Sequence, residues 1–317
     1  MGSYLVTGGA GFIGSSLVEA LLTRGHAVRV LDNFSTGKQE NLSAFLDRIE
    51  LLEGDITSPE DVQRAVAGVE VVLHHAALPS VPLSVKEPLT ANAINVRGTL
   101  HLLEAARQAG VRRFVFASSS AIYGDQRPDL PKVETMYPQP ISPYGADKLA
   151  AEQYCQVFYR VYGLETVALR YFNVYGPRQD PHSMYSAVIP LFISALLRGE
   201  APTIFGDGEQ TRDFTFVGDV VTANLLAASR PAGAVAGRVF NIATGQQIAL
   251  NDLIDVLNRI TGAGITPVYT DPRPGDIKFS LASIEQAVEH LAYRPASTLE
   301  QGLRATVDWY RQQMPPG

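Results

Sequence analysis

The sequence predicts a doubly wound α/β fold on a parallel sheet, with a smaller C-terminal α/β part. Three observations carry this expectation. The first half alternates short β-rich runs with helix-length amphipathic segments. Its strand candidates are almost wholly apolar, as strands covered on both faces must be. The first of them runs directly into a glycine-rich turn and a helix, and right-handed crossovers then place helices on both faces.

Taken in order, strands are expected at 4–7, 27–32, 49–53, 69–74, 114–118 and 166–171. Helical patterns lie between them near 12–23, 59–67, 88–108 and 143–162. After Tyr171 the texture becomes polar and turn-rich, with helices expected near 186–198, 219–229, 250–261, 283–290 and 298–312 and a strand at 238–243. A division at 1–175 and 176–317 follows, with the chain recrossing to the large sheet around 213–245 and a ligand cleft between the two parts.

Composition narrows the function. A chain of 317 residues with 46% hydrophobic and 18% charged residues is globular, and at about 150 residues per domain it suggests two domains. Lys and Arg number 26 against 32 Asp and Glu, a formal charge of −6, which argues against a nucleic-acid surface. A single cysteine, Cys155, excludes an internal disulfide and a multi-cysteine metal site, and no metal is expected. No apolar run reaches the ~20 residues of a membrane span. With a strand read from residue 3 there is no room for a signal peptide, so a soluble, cytoplasmic protein is expected.

The turn Gly8-Gly9-Ala10-Gly11-Phe12-Ile13-Gly14 places glycines at 8, 11 and 14, where a tight bend, approach of backbone to phosphate and close helix packing need them. The helix that follows offers free N–H groups to a pyrophosphate. Asp32 ends the second strand, where a carboxylate accepts from a ribose 2′-hydroxyl and repels a 2′-phosphate, favouring NAD over NADP. Asp55, after the third strand, is placed to meet the adenine, although Gly54-Asp55 is also a plain turn signal.

Ser142-Pro143 reads as a helix start, which sets Tyr144 and Lys148 at i and i+4 on one face. An ammonium and the positive end of a helix are expected to favour the phenolate, bringing the tyrosine toward neutral pH as an acid/base. The serine run Ser118-Ser119-Ser120 closes the fifth strand at the edge where ligands of such sheets bind, and a third hydroxyl there would relay a proton.

These motifs together resemble the extended short-chain dehydrogenase/reductase family over essentially the whole chain. The likeness is carried by the glycine turn, Asp32-Asn33, Gly54-Asp55-Ile56, His74-His75-Ala76-Ala77, Asn95-Val96-Arg97-Gly98-Thr99, the serine run, Tyr144 with Lys148, and the segment from Leu169 to Arg178. Within the family the likeness is to UDP-hexose 4-epimerases, particularly those acting on UDP-N-acetylglucosamine. It implies a Rossmann domain binding NAD, a UDP-sugar substrate, epimerisation by transient oxidation at C4, and a homodimer pairing near 88–108 and 143–162. It implies Ser119, Tyr144 and Lys148 as catalytic residues. Cofactor contacts would be Gly8, Gly11, Phe12, Ile13, Gly14, Asp32, Asn33, Asp55, Ile56, Ala76, Asn95, Tyr144, Lys148 and Phe172. Substrate contacts would be Ser80, Ser119, Tyr144, Asn173, Arg212, Arg273 and Ser280.

The resemblance also bears on substrate and on rival reactions. Ser280 stands where a bulky residue would leave space for a 2-hydroxyl only, so a small one implies an N-acetyl sugar, with plain UDP-glucose and UDP-galactose also accepted. Pro79 departs from relatives, which often carry Gly or a basic residue there. Dehydratases and decarboxylases of the family need acids where this chain has Ser120 and Ala121. UDP-glucuronate 4-epimerisation, or another nucleotide-sugar reaction on the same scaffold, remains the alternative.

Overall fold

A computed structural model describes residues 2–126, 130–181, 187–272 and 278–313. Seven parallel strands form the central sheet: β1 (Ser3–Thr7), β2 (Ala27–Asp32), β3 (Glu50–Glu53), β4 (Val71–His74), β5 (Arg113–Ser119), β6 (Glu165–Tyr171) and, after four two- or three-residue strands, β11 (Arg238–Ile242). The short strands are β7 (Val174–Tyr175), β8 (Thr203–Phe205), β9 (Thr211–Arg212) and β10 (Thr215–Phe216), with β12 (Ile248–Ala249) and β13 (Val268–Thr270) following β11. The sheet order is β11-β6-β5-β4-β1-β2-β3, which is the doubly wound order expected. Its direction reverses between β1 and β4, opening a crevice at their carboxyl ends, where such folds bind ligands.

Alternate residues of each strand enter different cores. Tyr4, Val6, Val30, Leu73, Val115 and Leu169 pack with Leu17, Leu21, Val220 and Ala227, from helices α1 (Phe12–Thr23) and α8 (Val217–Ser229). Leu5, Leu31, Val72, Phe114, Phe116 and Ala168 pack on the opposite face with residues of α2 (Pro59–Val66), α5 (Thr99–Gln108) and α6 (Pro143–Tyr162). A separate core joins α7 (Val188–Leu197), α10 (Leu250–Thr261) and α11 (Leu299–Gln313) under Tyr175 and Phe214. Two short helices, α3 (Val81–Lys86) and α4 (Pro88–Asn92), precede α5, and α9 (Ala232–Val235) precedes β11. Among the described residues no helix is long and apolar enough to cross a membrane.

The continuous helix expected at 88–108 is divided. A π-helical turn, Ala93–Gly98, separates α4 from α5. Tertiary contacts explain it: Asn95 both accepts from and donates to the Leu78 backbone, and Gly98 is pressed against Ile56, where a Cβ would lie 2.8 Å from Ile56. π-turns of this kind commonly mark functional sites. The helix expected at 283–290 is a shorter π-helical segment, Ala287–Leu291.

Helix α6 is fastened to the sheet by buried charge. Glu152 and Arg170 meet at 2.6 Å with both side chains inside, and Ser118 donates to the same carboxylate at 2.7 Å. Breaking such a pair leaves an uncompensated buried ion, so Glu152→Ala should lower unfolding free energy by about 3–5 kcal/mol. Chemical denaturation measures this, and a loss under about 1 kcal/mol would show the pair to be dispensable.

Candidate active site

At the β1–α1 turn the glycines are sterically obligatory. Gly8 has φ +68°, and a Cβ on it would stand 2.7 Å from the Ala76 N; a Cβ on Gly14 would stand 2.1 Å from the Gly8 carbonyl oxygen. Gly11 is the N-cap of α1, and no side chain caps the helix, so its first N–H groups are available to an anion. Asp32 is buried at the end of β2, its Oδ2 accepting from the Ala10 N at 2.9 Å and its Oδ1 from the Phe34 N at 2.8 Å. Burial raises its pKa, against those two amide bonds. Asn33 donates to Asp55 at 2.8 Å, linking the ends of β2 and β3. Although burial raises the Asp55 pKa, hydrogen bonds from Thr57 and Asn33 outweigh it and the carboxyl lies below its ordinary value. Ile56 is buried, and Ile13 is part-buried against the α1 core. Ala76 is anchored through its N–H to Thr7 Oγ1 at 3.2 Å, and buried Phe172 through its N–H to the Ile242 carbonyl at 3.1 Å. An uncapped helix start without room for a Cβ, followed by a carboxylate one strand away, fits a dinucleotide lacking a 2′-phosphate.

Helix α6 begins as its sequence requires. Ser142 is extended, its Oγ accepts from the Gly145 N at 3.1 Å, and Pro143 occupies the first turn. The Tyr144 N–H donates to Ser84 Oγ at 3.0 Å, tying α6 to α3, whose own N-cap is Ser80. Lys148 is buried: it donates to the Ala117 carbonyl at 2.9 Å, and its Nζ lies 5.0 Å from the Phe116 ring centroid and 5.9 Å from that of Tyr144. Burial lowers its pKa to about 8. Tyr144 carries a correction to the sequence expectation. Its pKa is raised, because burial of the phenol exceeds the opposing effect of its hydrogen bond with Ser119. The lysine's own hydrogen bond goes to the Ala117 carbonyl.

A cleft of about 270 Å³ opens beyond Phe172, lined by Asn173 and Arg212 together with Val188, Thr203, Phe205 and Gln210. Asn173 and Arg212 are therefore brought to one cavity. Ser280 adjoins them, its N–H bonded to the Thr211 carbonyl at 3.2 Å. Arg273 lies outside the described residues. Val188, Thr203, Phe205 and Gln210 escaped the sequence reading, since a three-residue apolar strand and a lone glutamine carry no motif. The backbone itself marks the region: of the non-glycine residues with positive φ, Phe34 (φ 55°), Asn173 (φ 34°) and Arg178 (φ 70°) border the candidate cofactor or substrate positions, and such strain collects at functional sites.

Comparison with known proteins decides the family. The model of the NAD dependent epimerase/dehydratase family matches residues 4–243. The chain belongs to this family. It is an enzyme, an NAD-dependent isomerase. It is 41% identical to a UDP-glucose 4-epimerase of Mycolicibacterium smegmatis, over 98% of each protein. Among solved structures it resembles a UDP-N-acetylglucosamine 4-epimerase from Methanobrevibacter ruminantium in complex with UDP-N-acetylmuramic acid (TM-score 0.94, 42% identity, 99% of each chain). It also resembles a UDP-glucose 4-epimerase from Thermotoga maritima with UDP-glucose (TM-score 0.93, 44% identity, 98% of this chain and 99% of that one).

Because a Cβ at position 14 would collide with backbone, Gly14→Ala should yield folded protein that no longer co-purifies with NAD. Cofactor released on denaturation measures this, and a full complement of NAD in the variant would contradict it.

Proposed function

We propose that the protein interconverts the C4 epimers of UDP-hexoses, accepting UDP-N-acetylglucosamine and UDP-N-acetylgalactosamine and also UDP-glucose and UDP-galactose. The observation that carries this reading is the placement of the Ser119–Tyr144 hydrogen bond and buried Lys148 at the carboxyl edge of the sheet, beside the strand that leads into a cleft bearing Asn173 and Arg212.

In this reading residues 1–175, with the return of the chain around 213–245, form the NAD-binding part, and the rest of 176–317 the UDP-sugar part. Gly8, the turn from Gly11 to Gly14, Asp32, Asn33, Asp55, Ile56, Ala76, Asn95, Tyr144, Lys148 and Phe172 hold NAD, which when bound supplies the reversible acceptor for the electron pair at C4. Tyr144, as the phenolate, takes the proton of the sugar 4-hydroxyl, directly or through Ser119, and later gives it back. The Lys148 ammonium, held on the Ala117 carbonyl, stabilises that phenolate. Asn173, Arg212 and Arg273 hold the diphosphate, for which the planar guanidinium fork is well shaped. Ser80, the N-cap of α3, is assigned to the sugar side. Release of the sugar end alone lets it present its other face. Nothing at Ser120 or Ala121 supplies a further acid/base, which separates this site from dehydration or decarboxylation.

We assign half-buried Ser280 to the wall facing the sugar C2, where a small side chain would leave space for an N-acetyl group. A homodimer is supported by apolar side chains left exposed on the helices expected to pair, Leu89 at 85%, Val161 at 64% and Val157 at 44%.

Tyr144→Phe should abolish turnover and leave NAD in the purified protein; undiminished turnover would overturn the mechanism. Ser280→Tyr should lower kcat/KM for UDP-N-acetylglucosamine at least about tenfold more than for UDP-glucose. Equal losses on the two substrates would remove the specificity assignment.

A further inference from the structure

The phenol proposed to take the sugar proton stands on the first turn of α6, so its position depends on how that turn is fastened. The first backbone N–H groups of a helix have no partner within it. At the start of α6 each of them is nonetheless engaged. Pro143 has no N–H. The Gly145 N–H donates to Ser142 Oγ at 3.1 Å, and the Ala146 N–H to the Ser142 carbonyl at 3.0 Å. The remaining donor is the N–H of Tyr144 itself. Ser84 Oγ accepts from it at 3.0 Å, across 60 residues of sequence.

Ser84 is fully buried on α3. Its one proton goes to the Val81 carbonyl at 2.7 Å, which leaves its lone pairs to Tyr144. The helix that carries it starts at Ser80, whose Oγ accepts from the Leu83 N at 3.1 Å and whose carbonyl accepts from the Ser84 N at 3.0 Å. One turn of α3 therefore joins the residue assigned to the sugar to the backbone of the proposed acid/base. On its other side the same turn of α6 lies against the end of β5. A Cβ at Gly145 would stand 2.7 Å from the Ala121 carbonyl oxygen, and the Ala121 N–H donates to Ser119 Oγ at 3.1 Å.

We propose that Ser84 is a positioning residue for the reaction: its hydroxyl, capping the Tyr144 N–H from α3, sets the distance between the Tyr144 phenol and C4 of a sugar that contacts Ser80. This rests on the assignment of Tyr144 as the group that takes the sugar proton. A cap from a neighbouring residue would satisfy the N–H equally well. A cap from α3 also fixes the helix relative to the turn that carries Ser80. Without the hydroxyl a buried N–H is left unpaired, and the turn shifts to find another acceptor. A displacement of about 1 Å in a catalytic arrangement can lower the rate by on the order of 100-fold.

Ser84→Ala keeps the Cβ and a helix-favouring residue, and removes only the hydroxyl. With UDP-glucose or UDP-N-acetylglucosamine its kcat should fall at least about tenfold while KM stays within about threefold of the wild type, because what is lost is alignment in the transition state. NAD should be retained in full. Ser84→Thr keeps a hydroxyl able to bond the carbonyl one turn back, and it should recover most of the lost kcat. Undiminished kcat in Ser84→Ala, or a loss carried by KM, would overturn the proposal. So would a Ser84→Ala protein that cannot fold or retain NAD, which would make the hydroxyl merely structural, or a Ser84→Thr protein as slow as Ser84→Ala. Activity persisting in Tyr144→Phe would instead remove the premise, independently of how Ser84→Ala behaves.

Discussion

Glu152 and Arg170 meet inside the protein where α6, β5 and β6 come together, and the geometry of the residues proposed to handle the proton depends on that contact. Ser118 donates to Glu152, and Arg170 continues to Tyr123 at 2.7 Å. Tyr123 donates to Asn241 on β11 at 2.7 Å, and Asn241 reaches the Lys132 and Ser283 carbonyls. One chain of hydrogen bonds thus registers the strand carrying Ser119, the helix carrying Tyr144 and Lys148, and the segment that follows Ser280. A fully satisfied buried network of this kind fixes one arrangement, because partial disruption leaves ions or polar groups without partners.

A second buried carboxylate plays the corresponding part beside the cleft that carries Asn173 and Arg212. Asp213 is fully buried and accepts from Thr244 N and Oγ1, from Gly245 N and, at 3.4 Å, from Ala282 N. Its neighbour Arg212 faces the cleft while Ala282 lies two residues beyond Ser280. Arg212 and the segment of Ser280, the proposed diphosphate and sugar contacts, are therefore held in register by the same side chain. Burial raises the Asp213 pKa while this set of donors opposes it.

The sheet and the glycine turn were legible because their causes are local. Strands buried on both faces must be apolar, and the turn admits no Cβ. The start of α6 was equally legible in Ser142-Pro143, whose capping bond forms as expected. The division of the helix at 88–108 was not, since nothing in Asn92-Ala93-Ile94-Asn95 breaks a helix; contacts of Asn95 with Leu78 and of Gly98 with Ile56 impose it. The direction of the Tyr144 shift was also hidden, because i, i+4 spacing reports that two side chains share a face and not how deeply they are buried.

The central claim is that this site inverts C4 of a UDP-sugar with cofactor already in place and with space at C2. Proton NMR of the purified protein, without added NAD, incubated separately with UDP-N-acetylglucosamine, UDP-glucose and UDP-glucuronate tests it most directly. The account predicts that the galacto epimer appears from UDP-N-acetylglucosamine and from UDP-glucose. Conversion of UDP-glucuronate alone, or of none of the three even after NAD is supplied, would contradict it.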